Sequence, residues 1–212
     1  MRHSLWCIYI IAFIFSCENE PVFDNENNEV NFYALEVGNS WVYKSQRYDA
    51  STQEYRDNGV VDYVSIVGTE VIEGNTYYKF RTETIGSDFR TEESNPTGLK
   101  FEYFRELDGN LINEEGFILF TNNNYEERLV KENNWGNVYE VLVEGSTIIN
   151  VEAGEFECVN SERYAILSNG TQSRGLDRYY YASGLGLIYH TFSYISSSTP
   201  PIVRRLVSYN IQ

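Results

Sequence analysis

Residues 60–84 read VVDYVSIVGTEVIEGNTYYKFRTET. The first half, Val60 to Ile72, is long and rich in β-branched residues, and Gly68 interrupts it as a bulge or bend would. Glu73-Gly74-Asn75 is a tight turn. In the second half Tyr78, Phe80 and Thr82 share one face of an extended chain, while Lys79, Arg81 and Glu83 share the other. Two such runs joined at a glycine turn predict a β-hairpin.

The same grammar runs outward in both directions. Upstream, Val37-Gly38-Asn39-Ser40 turns the chain into a strand with Trp41 and Tyr43 on one face and Val42 and Lys44 on the other. Downstream, Leu99 to Leu107 alternates and Asp108-Gly109-Asn110 is a strong hairpin signal. Further short strands are expected at 117–120, 138–144, 147–151, 156–159, 163–167, 177–182, 187–193 and 202–211. Only Tyr125 to Glu132 suggests a helical turn or two. The 18 Tyr and 12 Phe, with abundant Val, Ile and Thr, suit pleated half-buried surfaces. The expected fold is therefore all-β and mainly antiparallel, with roughly 10–12 strands and little helix. It is a sandwich, a curved sheet or a half-barrel, because large flat open sheets are uncommon. Asn39-Ser40-Trp41 is echoed by Asn133-Asn134-Trp135, as either an old duplication or repeated hairpin chemistry would give.

Three regions follow from composition. Residues 1–16 read as an export signal: Arg2 and His3, then an apolar run from Leu5 to Phe15, then Ser16. The run is shorter than the ~20 residues of a spanning helix. Residues 17–30 are polar, acidic and aperiodic, and read as a flexible tether. Residues 31–212 read as a single β-rich domain. The tail Ile14-Phe15-Ser16-Cys17 resembles the lipobox of bacterial lipoproteins, in a loose form with Phe15 where a small residue is usual. That resemblance implies cleavage before Cys17 and acylation of its thiol; an ordinary secretory signal is the alternative. Glu18 and Glu20 resemble acidic signals that route such proteins to the cell surface, and read equally as solvating linker charges.

The chain has 16 Lys+Arg against 31 Asp+Glu, a net charge of −15. Such a surface repels phosphate backbones and anionic headgroups, so no nucleic-acid partner is expected and membrane attachment falls to the acyl chains on Cys17. With Cys7 in the signal and Cys17 acylated, only Cys158 of the 3 cysteines remains, and no disulfide framework exists.

The residues that carry chemistry are few. His190 is the only histidine after the signal, no G-x-S-x-G elbow accompanies it, and it reads as a hydrogen-bonded or edge-exposed residue on the face of Ile188 and Phe192. Cys158 sits between acidic neighbours and reads as a buried small hydrophobe. One histidine and one spare cysteine argue against a zinc or copper site, so no metal and no cofactor is expected. The pairs Glu92-Glu93, Glu114-Glu115 and Glu126-Glu127 are strand or loop neighbours that point to opposite faces. Trp41, Trp135, Tyr179 and Tyr181 are the candidate ligand-binding residues, because aromatic rings on a β-surface stack on sugars or line apolar cups. Core packing is the plainer role for Trp41, and in/out alternation for the tyrosines.

Four segments also carry a family likeness. They are Leu35-Glu36-Val37-Gly38-Asn39-Ser40-Trp41-Val42-Tyr43, Gly74 with Tyr77-Tyr78-Lys79, Gly154-x-Phe156-x-Cys158, and the ending from Tyr180 to Ile188 (YYASGLGLI). In that order they resemble uncharacterised Bacteroidetes lipoproteins. The resemblance implies a single β-rich domain and an envelope address, at the periplasmic or outer face of the outer membrane, but no activity. The expected role is thus non-enzymatic, binding or structural. The alternatives are a carbohydrate-binding accessory lipoprotein and a carrier of a lipid or other apolar ligand in a β-cup. A carboxylate-based hydrolase is the remote fourth. Partners follow: the membrane through Cys17, and a glycan, an apolar ligand or an envelope protein.

Overall fold

The computed structural model describes residues 31–86 and 97–212. The signal, the tether with Cys17, and the Glu92-Glu93 pair lie outside the described residues. Among those described there is no helix, and thirteen strands form one antiparallel sheet. In chain order they are Ser40–Asp49 (β1), Glu54–Ile72 (β2), Asn75–Ile85 (β3), Gly98–Leu107 (β4), Asn110–Asn113 (β5), Ile118–Thr121 (β6) and Arg128–Asn133 (β7). There follow Gly136–Leu142 (β8), Thr147–Val151 (β9), Gly154–Leu167 (β10), Gln172–Ala182 (β11), Gly186–Phe192 (β12) and Ile202–Asn210 (β13).

Both expected hairpins form. At Glu73-Gly74 and Asp108-Gly109 both central residues have positive φ, the turn whose twist matches the flanking strands. Gly68 lies at a register shift between β2 and β3. Two strands exceed the expectation, β5 and β7. β7 replaces the helical turn expected at Tyr125 to Glu132. That segment has no 3.6-period apolar face to bury. Pairing Leu129 with Tyr139 and Asn133 with Gly136 satisfies its backbone instead.

The sheet order is β6-β5-β4-β3-β2-β1-β13-β12-β11-β10-β8-β7, with β9 on the first part of β10. The first and last strands pair at the centre, so each half of the chain is a meander running outward from one seam. Trp41 lies within the seam strand β1 and Trp135 at the β7–β8 turn on the far edge, so the two echoed triplets occupy unlike places.

The sheet is open but strongly curled. Phe120 of β6 stacks on Tyr181 of β11 with ring centroids 4.1 Å apart. Eight strand-to-strand steps separate β6 from β11 in the sheet. Laid flat at ~4.8 Å per step they would be ~38 Å apart. The segment before β1 locks this closure. The Tyr33 hydroxyl donates to the Gly109 carbonyl at 2.7 Å, and its ring meets both Phe120 and Tyr181 edge-on. Gly184 N–H donates to the Phe32 carbonyl. Gly186 has φ +85° and its α-carbon faces the Tyr33 carbonyl, a place a side chain would crowd. Buried Asn39 ties the two chain ends, donating to the Ala34 carbonyl and accepting from the Gln212 N–H. On the opposite face the β9–β10 hairpin packs back, with Phe156 against Tyr209 and Glu152 paired to Lys44.

Phe120 is fully buried at this closure. Phe120→Ala is expected to cost about 3–5 kcal/mol in urea unfolding. Removing an ordinary outer-face residue such as Val71, 69 % exposed, should change stability by less than about 0.5 kcal/mol.

Candidate functional site

Curling leaves a cavity of about 360 Å³ on the concave side, lined from β1–β6 and β10–β13. Its floor is apolar: Tyr33, Leu35, Trp41, Phe80, Leu111 and Tyr181. Trp41 stacks on Phe80 at 6.1 Å, and its indole N–H donates to the Leu185 carbonyl at 2.8 Å. The Tyr43 hydroxyl donates to the Leu187 carbonyl at 2.9 Å. The polar ends of Tyr33, Trp41 and Tyr43 are thereby used against backbone, which leaves their rings to the cavity.

Above the floor runs a polar belt, one residue per strand. Register carries it across the sheet: Thr84 opposite Asp62, Asp62 opposite Tyr43, Arg204 opposite His190, His190 opposite Tyr179, and Arg163 opposite Glu140. Asp62 accepts from the Thr84 hydroxyl at 2.6 Å and pairs with Arg204 Nε at 2.8 Å. The Arg204 guanidinium lies over the Tyr43 ring at 4.0 Å. At the other end Glu140, 1 % exposed, holds Arg163 at 2.5 Å and Arg128 at 3.1 Å. Arg163 donates onward to the Tyr179 hydroxyl at 3.0 Å. Between these two ion clusters sits His190, buried, stacked on Tyr179 at 3.9 Å and touching Phe192.

A bulge places His190 there. Tyr181 pairs with Leu187 while Tyr180 pairs with Tyr189, so Ile188 is the extra residue. The bulge shifts the alternation, and Leu187 and His190 both line the cavity. This corrects the simple period-two reading in which His190 shared its face with Ile188. His190 is neither edge-exposed nor hydrogen-bonded among the described residues. Burial first, then the charges of Arg204 and Arg163, hold its pKa well below the usual 6.5. Burial likewise pushes the Tyr179 hydroxyl up to about 12. Cys158 is fully buried, and burial reinforced by Glu157 pushes its thiol up to about 12.

Of the aromatic residues singled out from the sequence, Trp41, Tyr179 and Tyr181 converge on the cavity. Trp135 does not. It is 42 % exposed and borders a shallower recess with Val138, Asp177 and Ser193 on the far side of Arg163. Trp41 and Tyr181 are buried, so these four form no exposed platform. The belt residues Asp62, Glu140, Arg163 and Arg204 escaped the sequence reading. A signal existed. Asp62 has the strand parity of Val60 and Ile66, Glu140 that of Leu142, and Arg204 that of Ile202 and Leu206, all buried apolar neighbours. A lone charge at an inward position of an apolar strand marks a paired interior ion.

No protein-family model and no curated protein sequence matches the chain. Two solved structures do. One, from Bacteroides fragilis NCTC 9343, is described as an exported protein with a YmcC-like fold. It is 10 % identical with a TM-score of 0.52, over 85 % of this chain and 99 % of that one. The other, described as a lipoprotein of Parabacteroides distasonis ATCC 8503, is 14 % identical with a TM-score of 0.51, over 86 % of this chain and all of that one. The chain shares their fold. At these identities the likeness extends to architecture and to no residue of the cavity.

The two perturbed acids and bases give opposite pH signatures. His190 stays neutral in the folded state while the unfolded chain takes up a proton near 6.5. Stability therefore falls as pH drops below about 6.5, and His190→Gln should flatten that acid-side slope. Asp177, raised by burial from 3.8 to about 6, behaves inversely. Its folded form keeps the proton in that window, so it lowers stability as pH rises through it. Asp177→Asn should stabilise the protein by roughly 1–3 kcal/mol at neutral pH and do little below 3.8, the ordinary carboxyl value. Chemical denaturation across pH reads both.

Proposed function

We propose that this chain is an envelope lipoprotein that holds an apolar or amphipathic ligand in the cup of its curled sheet. The observation that carries this is the cavity itself. At about 360 Å³ it is in the size range of small-molecule sites, and an aromatic and aliphatic floor under a few convergent polar groups is how such sites are built. A structural role alone would favour filling that space, because cavities lower stability.

The geometry favours this reading over the two others. A carbohydrate platform needs exposed rings, and Trp41 and Tyr181 are buried. A carboxylate hydrolase needs two acids free to exchange protons across a cleft. The buried acids Asp62 and Glu140 are instead held by Arg204, Arg163 and Arg128. Binding without turnover is the function proposed.

The envelope address rests on the sequence of residues 1–30, and the shared fold of an exported protein and a lipoprotein supports it. Acylation at Cys17 would hold the cup at the membrane, where apolar ligands are available despite the acidic surface. Attachment to the outer membrane is part of the proposal.

Two experiments test it. The purified mature chain should enhance the fluorescence of N-phenylnaphthylamine, an uncharged apolar probe. Val64→Trp, which fills the cavity from β2, should weaken that binding at least about tenfold while the melting transition remains cooperative. An equal response from Val64→Trp would remove the cavity as the site. For the anchor, labelled palmitate fed to expressing cells should enter the protein and be lost in Cys17→Ala; equal labelling of both would sink it.

A further inference from the structure

The cavity has a floor without charge and a belt with a great deal of it, and the belt is not symmetric in what it leaves unused. Asp62 receives the Thr84 hydroxyl on one oxygen and Arg204 on the other. Glu140 is enclosed by Arg163 and Arg128 and does not line the cavity. The other carboxylate that lines the cavity, Glu102, is paired with Lys100 at 2.8 Å, so a cationic head entering the cup meets carboxylates that are already engaged. The donors stand differently. Arg163 is committed: Nε and Nη2 go to Glu140, and Nη1 to the Tyr179 hydroxyl. Arg204 uses only Nε on Asp62, while its guanidinium face rests on Tyr43. Among the described residues its terminal Nη groups donate to nothing, and Arg204 lines the cavity.

Next to it, His190 lines the same cavity, is 6 % exposed, and has no hydrogen bond among the described residues; its Nε2 is buried and unpartnered. A buried imidazole without a partner costs free energy, and an acceptor or donor on a ligand in the cavity would recover it. The two side chains are opposite one another on β12 and β13. We propose that Arg204 and His190 are the head-recognition site of the cup, and that they select an amphiphile with one anionic group, a carboxylate or a phosphate monoester, whose chain lies on the aromatic floor. The proposal rests on the cavity being a ligand site.

The electrostatics agree with this placement. The positive field of Arg204 and Arg163 that opposes a proton on His190 favours an anion at the same point. Tyr43 covers the guanidinium and Tyr179 stacks on the imidazole, so both groups are largely shielded from water, a setting in which a charge-assisted hydrogen bond is strongest. The acidic outer surface does not act against this, because exposed charges are screened within ~8 Å at physiological salt.

The test compares four probes of equal chain length in competition with N-phenylnaphthylamine on the mature chain at neutral pH. They are dodecanoate, dodecyl phosphate, methyl dodecanoate and dodecylamine. The anions should displace the dye at concentrations about tenfold or more below the neutral ester, and the amine should be weakest. Whichever anion is tighter assigns the head as carboxylate or phosphate. Arg204→Lys, which keeps a cation beside Asp62 but removes the planar fork, should weaken the anions far more than the ester and so abolish most of the preference. His190→Phe, which keeps the stack on Tyr179, should reduce the same preference. Ester and anions binding alike, or the amine binding best, would overturn the head assignment with the cavity reading intact. No displacement by any probe would overturn the cavity reading itself.

Discussion

Phe120 and Tyr181 lie at 4.1 Å although most of a wide sheet separates their strands. A sheet of this width accumulates right-handed twist with every strand and rarely stays flat. Here the twist is used to roll the two wings toward each other, and the Asn31–Glu36 segment is wedged where they meet. Tyr33 bonds to one wing through Gly109 and packs its ring on the other through Tyr181. The cavity and its belt follow from this closure. Without it the concave face would be an open apolar surface, and the belt charges would face water and hold little.

The closure also explains how the protein tolerates so many interior charges. Removing an ion from water costs several kcal/mol unless a partner and further hydrogen bonds replace the solvent. The clusters meet that condition through ion pairs and in part through hydrogen bonds: Asp62 pairs with Arg204 and accepts from Thr84, and Glu140 pairs with Arg128 and Arg163, the latter bonding on to Tyr179. The pairs sit on strands that are adjacent or nearly so, so the ladder itself sets their distances. His190 has neither an ionic partner nor a hydrogen bond among the described residues, and it stands near the midpoint of the belt on the cavity side.

Individual elements show where sequence reading succeeds. The hairpin about Gly74, the hairpin about Gly109 and the bulge at Gly68 were legible because a turn or bulge is a local event with local residue requirements. The strand at Arg128–Asn133 was not, because its partner β8 decides it and its own residues are indifferent. Trp41, Tyr179 and Tyr181 were legible as aromatic candidates by type and parity. Their meeting with Arg204 and His190 was not, since β1, β11, β12 and β13 become neighbours only through the seam that joins the two chain ends. The bulge at Ile188 shows the limit most sharply: one extra residue in a strand moves His190 and Leu187 onto one face against the count.

The sequence by itself determined the class: alternating strands, glycine turns and an acidic composition are properties of short windows and of totals. It also held, unread, the sign of an interior belt in Asp62, Glu140 and Arg204 at inward positions. Only the tertiary structure decided that the sheet closes on itself, that a space remains inside, and which charges in that space are already paired. Those facts depend on contacts between residues far apart in the chain, such as Tyr33 with Gly109 and Trp41 with Leu185. No periodicity encodes them, because curl and register are settled by the whole sheet at once.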